Sequence, residues 1–268
     1  MKEEVETEVR RRIGVLDTAP SDIKMDKLDI ISDLTKVLRL MGVVTDAYIA
    51  NTYADPFVGD ADMLDQLVKD CQTLQRIATK LPALEALSLG NETQLWTVAA
   101  QTKLAPRRQS GPPAAETFKP AAMLASPQVK PTRVGLYTST ALPGSPLSMW
   151  LLYLQYYGGS AFPKPWSTYQ LKAASNARIF EVGSAQDWVR LVQAFPARQG
   201  RAVYPDWRNI ASEYDAVHLS LAAIVAIQGI KLTLGRCFAV EGYWDVETTF
   251  WLNWCFTDIR EWKLHAES

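Results

Sequence analysis

Histidine and cysteine are scarce in this chain, and neither charge sign is in excess. Of 268 residues, two are His and three are Cys. Cys71, Cys237 and Cys255 form no close-spaced pair, whereas a structural zinc site needs about four Cys or His ligands in close-spaced pairs, so none is expected. Scattered thiols in odd number suit a reducing compartment, and a cytoplasmic location is expected. Lys and Arg total 28 against 29 Asp and Glu, a net charge of -1. That balance argues against a dedicated nucleic-acid or anionic-membrane binder, whose footprint is an overall basic excess. No run approaches the roughly 18 apolar residues of a membrane-spanning helix. The opening MKEEVETEVRRR is charged and lacks the apolar stretch of a secretory signal. Phosphate-loop and dinucleotide-loop glycine patterns are missing. Gly158-Gly159-Ser160 lacks the second flanking glycine of a nucleophile elbow.

What is present is an ordinary globular composition, 48% hydrophobic and 21% charged, with enough apolar residues for a core. Its texture changes along the chain. Six of the 15 prolines fall within residues 103–132: Pro106, Pro112, Pro113, Pro120, Pro127 and Pro131. Proline fixes φ and removes a backbone donor, so this stretch reads as an extended linker. Before it, residues 1–102 read as an all-helical domain. Leu28, Ile31, Leu34, Leu38 and Met41 share one helix face over 22–41, with Ser21 as N-cap and Gly42 as a stop. Leu64, Leu67, Val68, Cys71, Leu74, Ala78 and Leu81 repeat the pattern over 62–81, which Pro82 ends. Residues 2–13 read as a charged helix and 84–101 as a weaker one.

Residues 133–268 hold eight of the nine Trp and both His. Strands are expected over 133–140, 168–172, 178–182, 215–219, 230–240 and 246–256. Helices are expected over 147–157, from Ser184 onward with Trp188, Leu191, Val192 and Phe195 as its apolar face, and through Ile227. The expected fold class is therefore α+β: an N-terminal all-helical domain, a Pro-rich linker, and a C-terminal mixed α+β domain with a split, antiparallel-type sheet.

Three polar patches follow one another in the C-terminal part. They are Tyr137-Thr138-Ser139-Thr140, Trp166-Ser167-Thr168-Tyr169 and Trp244-Asp245-Val246-Glu247. On a strand, alternate residues share a face, so Asp245 and Glu247 are expected to project together. Two adjacent carboxylates repel, which holds one ready to protonate or to accept hydrogen bonds. Such a pair can orient a sugar hydroxyl and stabilise an oxocarbenium-like transition state. His218 is the histidine best placed for acid/base or cofactor-pocket work, since His265 lies in a tail; it reads equally as a hydrogen-bonded structural residue. Arg133, Ser167, Thr168 and Glu247 likewise admit plain readings as a surface charge, strand-start hydrogen bonders and a solvated carboxylate.

The order of these patches resembles the ADP-ribosyltransferase-like family. In that family a first strand carries an Arg or His that holds NAD, a middle strand opens with a Ser-Thr-Ser-type motif that braces the pocket, and a late strand carries Gln/Glu-x-Glu. The resemblance covers residues 133–256. It aligns Tyr137-Thr138 with the first motif, Ser167-Thr168 with the second and Asp245-Val246-Glu247 with the third. Thr138 stands where the family has its basic residue, and Arg133 is the nearest cation. The resemblance implies an NAD-consuming transferase or glycohydrolase. Glu247 would act as the key carboxylate beside Asp245. Arg133, Tyr137, Thr138, Ser167, Thr168 and His218 would line the site for NAD, which is substrate rather than resident cofactor. The acceptor would be a protein, a nucleic acid or a small molecule. A Pro-linked helical domain ahead of such a domain is also found among bacterial toxins and effectors. Two other classes compete. One is a non-catalytic binding or assembly protein that docks a partner through residues 1–102. The other is a glycosidic hydrolase using Asp245 and Glu247 as acid and base. No metal and no membrane partner is expected.

Overall fold

The computed structural model describes residues 93–99, 112–141, 147–157, 162–227, 232–239 and 244–262. Strand residues outnumber helical ones among the described residues, so sheet dominates. The expected balance of a helical domain, a linker and a split antiparallel sheet is corrected on three counts.

The first correction concerns Gln94–Ala99, expected within a helix and found as strand β1. Trp96, Thr97 and Val98 are aromatic or β-branched and suit a pleated surface. The strand is buried along nearly its whole length. A strand covered on both faces loses the polar alternation that marks strands in sequence, which is why periodicity alone misassigned it. The helices expected over 2–13, 22–41 and 62–81 lie outside the described residues, as does the start of the one over 84–101.

The second correction concerns the sheet, which is not split. The further elements are β2 (Leu136–Thr140), α1 (Met149–Tyr157), β3 (Trp166–Ala173), β4 (Ile179–Val182), α2 (Ala185–Ala194), β5 (Pro196–Gln199), β6 (Ala202–Pro205), α3 (Trp207–Glu213), β7 (Ala216–Leu219), α4 (Leu221–Ile227), β8 (Leu232–Leu234), β9 (Cys237–Ala239), β10 (Thr248–Trp251) and β11 (Phe256–Trp262). One seven-stranded sheet runs β11-β3-β1-β2-β10-β7-β4, and a four-stranded sheet runs β5-β6-β9-β8. The large sheet is mixed: β4 lies parallel to β7, and the other pairs are antiparallel.

Register then assigns the faces. Tyr137, Phe250, Val217 and Phe180 are cross-strand neighbours, and all four join the main core with Trp188, Leu191, Trp207 and Ile210. On the opposite face Leu136, Trp251, Ala216 and Ile179 form a row and join a second core with Trp96, Tyr169 and Leu171. Two residues further along that second face, the row becomes Thr138, Thr249, His218 and Glu181. The polar row matters most below.

The third correction concerns residues 112–132, which are a strap and not a free linker. Pro113, Ala121, Leu124 and Pro131 are buried. Ala121 N–H donates to the Leu252 carbonyl at 3.0 Å. The indole of Trp207 donates to the Gln128 carbonyl at 2.7 Å, and the Tyr137 hydroxyl to that of Pro131 at 2.5 Å. A proline-rich segment has few N–H groups but keeps its carbonyls, and the core's large aromatic donors satisfy them.

Several local signals were legible. Ser184 caps α2, accepting from the Asp187 N–H at 3.3 Å, and Trp188, Leu191 and Val192 are its buried face. The strands expected over 133–140, 168–172, 178–182 and 215–219 and the helices expected over 147–157 and through Ile227 are present to within a few residues. The strand expected over 230–240 is instead two strands, β8 and β9, and the one expected over 246–256 is confined to β10, with β11 starting at Phe256. Among the described residues, no helix is long and apolar enough to cross a membrane.

Candidate functional site

Glu247 sits just before β10, at the end of the sheet's polar row, and is wholly buried. Four protein groups donate to its carboxylate. The Ser139 hydroxyl reaches Oε2 at 2.6 Å and the Thr140 hydroxyl reaches Oε1 at 2.6 Å. The Thr140 backbone N–H lies 3.1 and 2.9 Å from the two oxygens. His218 Nε2 lies 3.0 Å from Oε1. His218 is equally buried, and its Nδ1 meets Glu181 Oε2 at 2.5 Å. Glu181, on the edge strand β4, is the partly exposed member, with 35% of its side chain accessible.

A buried imidazole facing a carboxylate from each nitrogen donates twice only as the imidazolium. Burial is the largest single influence on the ring and disfavours its charge. The hydrogen bonds and negative charges of Glu181 and Glu247 together outweigh it and raise the pKa to about 9. A raised folded-state value stabilises the fold fully below the ordinary 6.5, and the benefit is lost as pH rises through about 9. Urea unfolding is expected to weaken by about 3 kcal/mol over that window. With two His in the chain, ring-proton NMR reads His218 directly. A ring titrating near 6.5 together with a flat stability profile would rule the charged triad out.

The network extends past Glu247. Gln94 Nε2 donates to the Thr140 hydroxyl at 3.1 Å, and the Thr138 hydroxyl donates to Gln94 Oε1 at 2.5 Å. The Trp251 indole then donates to Thr138 Oγ1 at 2.8 Å. Buried polar groups thus join β4, β7, β10, β2 and β1 across the middle of the sheet. Thr249 lies in the same row, and its buried hydroxyl has no partner among the described residues.

Of the expected site residues, Glu247, Thr138 and His218 converge. Asp245 does not. Because β10 begins at Thr248, strand alternation does not govern residues 245–247, and Asp245 turns outward to pair with Lys130 Nζ at 3.5 Å. Arg133 is exposed in the bend before β2. Tyr137 lies on the face opposite Thr138 and stacks on Phe250 with ring centroids 4.4 Å apart. Burial holds its phenol well above 10.0. Ser167 and Thr168 are on β3, beyond β1 from β2, and Thr168 pairs with Thr97 at 3.0 Å between hydroxyl oxygens.

The residues that hold Glu247 are Ser139 and Thr140 of the first polar patch. Gln94 and Glu181 were not identified from sequence. Glu181 carried a signal, being the one charge in the apolar strand Ile-Phe-Glu-Val. Gln94 carried none once its segment read as helix. Among the described residues, no three His, Cys, Asp or Glu side chains are grouped to hold a metal ion.

No family model matches this chain, and no curated protein or solved structure matches it either.

Proposed function

We propose that this chain is a binding or assembly protein in which Glu181, His218 and Glu247 serve the fold and not a reaction. One observation carries this: both oxygens of Glu247 are taken up by Ser139, Thr140 and His218, and the carboxylate is wholly buried. A carboxylate that stabilises an oxocarbenium-like sugar must have a lone pair free to face it. Cross-linked polar groups in a sheet instead oppose register slips, because a one-residue shift would strand every member unpaired.

A second reading, NAD cleavage through Glu247, has one observation in its favour. A Thr-Ser-Thr run braces the Glu of Asp-x-Glu directly, the kind of bracing that the resemblance assigns to a Ser-Thr-Ser motif. Nicotinamide release from NAD by purified protein separates the two. We expect release no faster than in buffer, and Glu247→Gln to change only stability. Release by the wild type that Glu247→Gln abolishes, with circular dichroism unchanged, would overturn the assembly reading and turn the search to the acceptor.

A further inference from the structure

Two turns of the four-stranded sheet carry the same dipeptide. Gly200-Arg201 joins β5 to β6, and Gly235-Arg236 joins β8 to β9. Both glycines adopt the left-handed conformation, with φ of 60° and 59°, and neither arginine has positive φ. A two-residue hairpin loop with such a glycine in first place is of the II′ type, whose twist matches that of the flanking strands. β6 and β9 are parallel neighbours, pairing Ala202 with Phe238 and Val203 with Ala239. Each strand leaves its own turn in the same direction, so the two turns lie side by side at one end of the sheet. Arg201 Nε donates to the Arg236 carbonyl at 3.0 Å, which ties them together. Arg198 lies on β5 just before the first turn, opposite Val203.

Arg198, Arg201 and Arg236 are all exposed, and none of them has an ion-pair partner among the described residues. Elsewhere Arg178, Arg190, Arg208 and Arg260 each pair with an aspartate. A Cβ added at Gly200 or Gly235 would meet nothing within 4 Å among the described residues, so the turns stand clear of the body they form.

We propose that these paired Gly-Arg turns form a surface that takes the phosphodiester backbone of duplex nucleic acid. Guanidinium groups match phosphate oxygens in a bidentate manner. A projecting tip suits an extended polyanion better than a small ligand, which binds in concavities. Stacking on single-stranded bases needs exposed aromatic rings, and the exposed large hydrophobic among the described residues is Met123. An anionic bilayer attracts each nearby cation by only about 1 kcal/mol and is usually met by roughly four to eight of them. The chain's net charge of -1 makes the attraction local, weak and sensitive to salt. It is independent of how Glu247 is used.

The test is fluorescence anisotropy of a labelled DNA duplex of about 20 base pairs with the full chain, with salt varied from about 20 to 200 mM. Three phosphate contacts give an expected slope of log K against log salt of about -2.7. Arg198→Gln, Arg201→Gln and Arg236→Gln together are expected to weaken binding at least about tenfold at low salt, with circular dichroism unchanged. A single strand and phosphatidylserine vesicles are expected to bind more weakly than the duplex. No duplex binding at the lowest salt, equal binding by the triple variant, or preference for vesicles would each overturn the proposal.

Discussion

Glu247→Ala is expected to lower stability by about 3–5 kcal/mol, because it takes the buried carboxylate away from His218 Nε2 and from both the hydroxyl and the backbone N–H of Thr140, and leaves the Ser139 hydroxyl only the residue 247 carbonyl. For a chain of this size that is a fall in Tm on the order of 10 °C. Glu247→Gln keeps the shape and one oxygen, and should cost less, about 1–3 kcal/mol. Thr249→Val is the comparison within the same row. Its hydroxyl lacks a partner among the described residues, so replacing it with a methyl group removes none of their hydrogen bonds and should change stability by less than about 1 kcal/mol. Chemical unfolding of the three variants checks the order. Equal, small losses for all three would mean that the network contributes nothing and that Glu247 is retained for chemistry instead.

The second large effect is expected at Gly135, just before β2. Its φ is 70°, and an added Cβ would lie 2.2 Å from Phe250 Cε2 and 2.6 Å from the Trp251 carbonyl oxygen. Phe250 cannot yield easily, since it is buried, stacked on Tyr137 and edge-on to Trp207 at 5.1 Å. Gly135→Ala therefore combines a left-handed backbone, about 1–2 kcal/mol, with overpacking of about 1–3 kcal/mol. We expect a total loss of about 2–5 kcal/mol. Gly200→Ala shares the conformation but has no described residue within 4 Å of the new atom, so only the backbone contribution should appear. Thermal unfolding of the two variants separates the terms. Equal shifts would show that packing around Phe250 adapts freely.

The candidate site was half visible in the sequence for identifiable reasons. His218 stood out as a histidine in an apolar strand and Glu247 as the end of an Asp-x-Glu patch, and ionisable groups need partners when buried. Their partners came from places that local pattern cannot link. Glu181 is 37 residues from His218, and Gln94 is 46 from Thr140. Asp245 was drawn into the site by assuming that strand alternation extended to residue 245, whereas β10 starts at Thr248. Arg133 was drawn in as the nearest cation to Thr138 on a strand expected from residue 133, and β2 starts only at Leu136.

By itself, the sequence determined the pieces whose cause is local. These are the capped amphipathic helix after Ser184 and the β-branched and aromatic strands around Tyr137, Val217 and Phe250. It also determined the charge balance and the scarcity of metal-type ligands. Tertiary structure alone decided that Gln94–Ala99 is an inner strand, since burial on both faces erases the alternation that would announce it. It decided that the proline-rich stretch from residue 112 onward is a strap, because its carbonyls find donors in Trp207 and Tyr137 far along the chain. And it decided that Glu247 faces inward to His218 and Asp245 outward to Lys130, because a side chain's direction just outside a strand follows from what it packs against and not from its spacing.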